Sequence, residues 1–89
     1  MIVRISSEGQ YEITDVEALN RLDNAAAEAI DSGDEVRFHA AYAALLAFTR
    51  GGRALNEDEL EGSDVILPPA DVTLEEARSE FSGEGLLPS

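Results

Sequence analysis

The single histidine of the chain, His39, stands beside Phe38 near the start of an apolar run, EVRFHAAYAALLAF. Imidazole is the side chain best suited to proton transfer near neutral pH or to metal ligation, but either task needs a carboxylate, a nucleophile or a second ligand converging on it. Nothing stands at triad or ligand spacing from His39, so it reads as a packing or surface residue. The stretch Asn56 to Asp64, NEDELEGSD, holds the side chains of a calcium loop without their spacing, because the D-x-[DN]-x-[DN]-G pattern with Glu at the twelfth position is absent. It reads as a solvated acidic loop. A working carboxylate pair needs one member in an apolar pocket that raises its pKa, and no acid in this chain is flanked in that way. Gly51-Gly52 lacks the Lys-Ser/Thr that follows in a phosphate-binding loop and the strand that precedes one. These residues point to no enzyme, no resident metal and no cofactor.

Tyr11 is either sheet core beneath helices or an aromatic anchor at an interface, where Tyr is over-represented; its sharing of a face with Ile13 favours core.

Six arginines and no lysine stand against nineteen carboxylates, for a net charge of −13. Phosphate recognition needs clustered cations that release counterions, so nucleic acid is excluded as a natural partner. A lysine-free, carboxylate-rich surface fits a saline, halophilic cytoplasm, where screening mutes self-repulsion; a GC-rich genome favouring Ala and Arg codons gives the same composition. The 44% hydrophobic content argues for a folded chain despite the charge. The absence of cysteine removes disulfides and thiolate metal sites and fits a reducing cytoplasm. The opening MIVRISSEGQYEI reads as neither a signal peptide nor a membrane span, and no later run approaches the length of one, so no direct membrane insertion is expected. Eighty-nine residues suit one domain, 1–89, with one modest core.

The elements that must position these side chains follow from periodicity. In IVRIS, Val3 and Ile5 share one face and Arg4 and Ser6 the other, while Tyr11 and Ile13 pair across Glu12. With Gly9 in the intervening turn this predicts a hairpin whose apolar face needs a cover. Thr14 with Glu17 as a capping box, or Asp15 directly, opens a helix over 16–31, with Val16, Leu19, Leu22, Ala26, Ala29 and Ile30 at helical spacing and Gly33 as C-terminal cap. Asp34 caps a second helix ending at Gly51-Gly52. No charge lies between Arg37 and Arg50 along it, so it is expected to be the central, most buried helix, antiparallel to the first. An acidic connector over 54–64, anchored by Leu55 and Leu60, leads to Val65-Ile66-Leu67, a third strand beside the hairpin that Pro68-Pro69 ends. Thr73 and Glu76 box the last helix; Leu74, Ala77 and Phe81 face inward, Gly83 or Gly85 stops it, and Leu86 and Leu87 are expected to pin the tail to the core as a lid. The class is α+β: a small antiparallel sheet packed by an antiparallel helix pair and a short C-terminal helix.

In chain order, MIVRI, EGQYE, LNRLDNA, RFHAAYAALL, LPPADVTLEEA and a closing F…GEGLLP resemble, from end to end, the PspA-associated protein family, PspAA, of archaea and actinobacteria. EGQY and LPPAD-x-TLEEA are the more specific pieces. The family pattern leads one to expect Gly-Glu-Gly-Gln-Tyr at the hairpin, so Ser7 is a departure. The resemblance implies a non-enzymatic adaptor or regulator of PspA, the coiled-coil membrane-remodelling protein of the phage-shock response, with the membrane's inner face reached only through that partner. An acidic domain could meet such a helical partner by charge steering and by strand addition or helix packing. Arg4, Gln10 and Tyr11 are the expected partner-binding residues. The alternative is a self-associating module, a homodimer formed through the sheet edge or the second helix.

Overall fold

The computed structural model describes residues 1–56 and 62–80. The expectations for Leu60, Phe81, Gly83, Gly85, Leu86 and Leu87 lie outside the described residues. Period-two alternation forms strands β1 (Ile2–Ile5) and β2 (Gly9–Glu12), paired antiparallel with Val3 opposite Tyr11 and Arg4 opposite Gln10. The turn between them closes with the Glu8 N–H donating to the Ile5 carbonyl at 3.0 Å. Ser7 there has φ +71°, the left-handed region that an L side chain enters reluctantly. It is the position at which glycine was expected.

Helix α1 (Val16–Ser32) opens at Asp15, whose carboxylate accepts from the Ala18 N–H at 3.1 Å, so Asp15 rather than Thr14 is the cap. It closes at Gly33, in the left-handed region at φ +72° with its N–H on the Ile30 carbonyl. Asp34 at once caps α2 (Glu35–Arg50) by accepting from the Arg37 N–H at 3.0 Å. The two helices pack antiparallel on one face of the sheet. Val3, Ile5, Ile13, Val65 and Leu67 from below meet Leu19, Ala26, Ala29 and Ile30 of α1 and Phe38, Tyr42, Leu45 and Leu46 of α2. Each fully buried Val, Leu, Ile or Phe among them contributes about 1.5–3 kcal/mol.

Helix α2 is not surrounded. Val36, His39, Ala40, Ala43, Ala44 and Ala47 face solvent, and Val36 is 81% exposed. Alanine is uncharged yet the best surface helix former, so its abundance signals propensity here and not burial.

The sheet order is β3-β2-β1-β4, with β3 (Arg53–Ala54) and β4 (Val65–Leu67) at the edges. It is mixed, where an antiparallel sheet was expected. Strand β3, which periodicity did not predict, pairs antiparallel with β2, but β4 lies parallel to β1, with Val3 opposite Val65. The cause is the return path. Two antiparallel helices bring the chain back to the end of the sheet where β1 starts, β3 climbs only two residues, and Asp64 then clamps Ile2 at that same end. Its carboxylate accepts from the Ile2 N–H at 2.7 Å and its own N–H donates to the Ile2 carbonyl at 2.8 Å.

Helix α3 (Leu74–Glu80) starts with the expected box: the Glu76 carboxylate accepts from the Thr73 N–H at 3.0 Å, and the Thr73 hydroxyl accepts from the Glu76 N–H at 3.1 Å. Ala77 is its buried residue and packs into the main core. Between α2 and β3, a Cβ on Gly52 would stand 2.6 Å from Ile13 Cδ1 and 2.7 Å from the Glu12 carbonyl oxygen, so the close approach of this turn to β2 requires glycine.

Two substitutions at turns should therefore move stability in opposite directions. Ser7→Gly relieves a left-handed residue, a gain of about 1–2 kcal/mol offset by about 0.5–1 kcal/mol of glycine entropy, and should raise the denaturant midpoint. Gly52→Ala forces backbone and Ile13 apart, costs about 1–3 kcal/mol of stability and should lower that midpoint.

Candidate partner-binding face

Strand alternation puts Arg4, Gln10, Glu12 and Ile66 on the face of the sheet away from the helices, with Arg4 between Gln10 and Ile66 in register. Arg4 is exposed there, as expected for a contact residue. Gln10 shares that face but is only 6% exposed. Its side-chain amide donates to the Ser63 hydroxyl at 2.8 Å, and its backbone carbonyl accepts from the Leu55 N–H at 3.0 Å. Both ends of the acidic connector are thus fastened to Gln10, which holds the return path in place instead of facing solvent. Tyr11 turns the other way, half-buried against the core beside Val3, in agreement with its pairing with Ile13.

Three arginines are engaged within the fold. Arg50 makes a two-pronged contact with Glu8, at 2.9 and 2.7 Å, tying the end of α2 to the β1–β2 turn. Arg50 holds the Glu8 carboxyl below its ordinary value, chiefly through that hydrogen bond. Arg53 pairs with Glu12 directly across β2 and β3 at 3.2 Å, and Arg37 approaches Glu28 between the helices at 3.7 Å. The outward field is therefore dominated by carboxylates.

Sequence reasoning missed several polar residues. It found no acid in an apolar setting, yet Asp23 is 1% exposed within α1, in the stripe formed by Leu19, Ala26 and Ile30. The spacing was visible: Asp23 stands four after Leu19 and seven before Ile30. Nearby, the Tyr42 hydroxyl donates to the Pro68 carbonyl, and its ring stacks on Phe38 with centroids 5.6 Å apart. Burial first, and the Asp23 charge next, push the Tyr42 phenol well above its ordinary value of 10. A phenol so held keeps its proton at neutral pH and acts as a fastener, not as a base. Thr49, also buried, donates to the Leu45 carbonyl at 2.9 Å. His39 is exposed and contacts the Phe38 ring. Among the described residues no three His, Asp or Glu side chains are grouped to hold a metal ion, and no helix is long and apolar enough to cross a membrane.

The family model described as PspA-associated protein matches residues 1–89, the whole chain. The chain belongs to the PspA-associated protein family. Comparison with curated proteins and with solved structures gives no match. The two segments most specific to the PspAA resemblance meet in this fold. EGQY makes the hairpin turn and most of β2, while LPPADVTLEEA runs from the end of β4 into α3; the Ser6 N–H, just before the first, donates to Leu67 of the second at 2.9 Å.

The Glu8–Arg50 pair makes a test of this corner. Because the folded-state pKa of Glu8 is depressed, its contribution is present above the unfolded value and is lost as pH falls below 4.5. A double-mutant cycle of Glu8→Gln and Arg50→Met, followed by denaturant unfolding, should show favourable coupling at pH 7 that declines as pH falls below 4.5 and weakens in molar salt.

Proposed function

We propose that this protein is a non-enzymatic partner of PspA, an adaptor or regulator that works by protein contact. The observation that carries the reading is the family match over all 89 residues, since the family is described by an association and not by a reaction. The surface supports it. A net charge of −13, with Arg37, Arg50 and Arg53 tied to carboxylates of the same domain, steers encounter toward a cationic partner surface. The protein is read as cytoplasmic, reaching the membrane's inner face through PspA.

Strand addition is a poor mode of contact. The edges offer two residues in β3 and three in β4, and Pro68-Pro69 ends the latter. Side chains must then carry the contact. Of the three residues expected at the interface, Arg4 is exposed and is the one proposed to touch the partner, while Gln10 is covered on that same face by Ser63 and Tyr11 packs against the core on the other. A homodimer is the second reading, favoured by the open alanine face of α2, which would let a second helix approach closely.

Titration of the full chain against PspA from the same cell should show saturable binding, and Arg4→Ala should weaken it several-fold with an unchanged melting temperature. Light scattering of the isolated chain separates the second reading: a stable dimer with no affinity for PspA would replace the adaptor by a self-associating module.

A further inference from the structure

Beside β4 a groove of about 370 Å³ opens to solvent. Ile66, 56% exposed, forms one wall, and Pro68, Pro69 and Val72 line its base. Asp71, Glu76 and Glu80 complete the opposite rim, and among the described residues no basic side chain lines it. The walls are built into the fold before any ligand arrives. Pro68 is held by the Tyr42 hydroxyl, the Val72 N–H donates to the Pro69 carbonyl at 3.0 Å, and Glu76 is fixed by its capping box with Thr73. A preformed, half-apolar groove costs little ordering on binding.

The chemistry of the walls selects the occupant. Three carboxylates around an apolar floor repel nucleic acid and anionic lipid, in the same sense as the overall charge of −13. They are spread along the rim and not convergent, and the described residues hold no acid group arranged for a metal ion. The three-residue edge of β4 stops at Pro68, which leaves little main chain for a partner strand. We propose that this groove takes the apolar side of a cationic amphipathic helix from a protein partner, with the leucine- or isoleucine-like side chains against Ile66 and Pro69 and the flanking lysines or arginines on Asp71 and Glu80. The inference deepens the adaptor reading by naming a surface and the partner's chemistry, and its test has an arm that does not depend on PspA.

The probes are an 18-residue helical peptide of leucine and lysine arranged on opposite faces, a scrambled peptide of identical composition, and PspA itself. The full chain should bind the amphipathic peptide at least about tenfold more tightly than the scrambled one. Ile66→Asp should remove that preference, and Ile66→Thr, which keeps a β-branched residue in the strand, should reduce it. Asp71→Asn with Glu80→Gln should weaken binding more than the equal charge change Glu17→Gln with Glu35→Gln, on helix starts away from the groove. Thermal melting controls for folding. Equal affinity for both peptides, or equal losses from the two charge-neutralised pairs, would show attraction by net charge alone and overturn the groove. Peptide binding that depends on Ile66, in a chain that does not bind PspA, would support the groove and remove the PspA reading. Binding to PspA that is indifferent to both Ile66 variants would keep that reading and reject the groove.

Discussion

The hydrogen bond from Tyr42 to the Pro68 carbonyl joins the two halves of this small fold. Tyr42 lies in the middle of α2, stacked on Phe38 and enclosed by the main core, whereas Pro68 ends the last strand and begins the turn into α3. An unbonded phenol or carbonyl at this depth would cost about 1–3 kcal/mol, so the two groups satisfy each other. The position of β4 follows, because Leu67 must remain beside β1 with its carbonyl on Ser6. The direction of α3 follows as well, since Pro68-Pro69 fixes the backbone just before the helix and Ala77 must reach the core. A domain of this size has little surplus core, and a buried polar fastener between elements far apart in sequence offers register that hydrophobic contact alone does not give.

Arginine does most of the electrostatic fastening. Arg50 closes α2 onto the hairpin turn and Arg53 bridges β2 to β3, while Arg78 of α3 lies over the end of α1, where a Cβ on Gly33 would come 3.3 Å from its guanidinium. Helix α1 has no basic residue in its own last turn, so Arg78 supplies from another element the positive charge that its C-terminus favours. Lysine would serve less well at the Glu8 contact, where a flat fork meets both carboxylate oxygens. The absence of lysine is thus consistent with the geometry of these pairs as well as with salt or codon usage.

The class, the three helices, the hairpin, the strand at Val65 and the capping of α2 and α3 were legible because each rests on local signals: period, capping side chains and proline stops. What was not legible depends on where the chain goes between elements. The parallel placement of β4 and the two-residue β3 are products of the return path, which no local pattern records. Gln10 looked like a contact residue because alternation correctly puts it on the outer face; Ser63 passes over that face and bonds its amide. Asp23 was legible from spacing alone, as a carboxylate inside an apolar stripe, and was passed over because its immediate neighbours are Leu22 and Asn24 instead of an apolar pair. The alanines of α2 were misread in the opposite sense, lack of charge being taken for burial.

The proposed partner-binding face inherits a division of labour from these facts. Attraction between the acidic surface and a cationic partner acts over about 10 Å at 0.1 M salt and shrinks to about 3 Å at 1 M, so at high salt it cannot hold a complex together. Apolar contact is not screened and is strengthened by salting-out ions. Ile66 is one of two large apolar side chains most exposed among the described residues, and unlike Val36 it adjoins a groove with a fixed base. Residence on the protein should therefore be governed by the few side chains around Ile66 and Pro69, and charge by how quickly they are found. With the proposed groove, that ordering makes the rigidity of the β4–α3 turn, and hence the Tyr42–Pro68 bond beneath it, part of recognition as well as of folding.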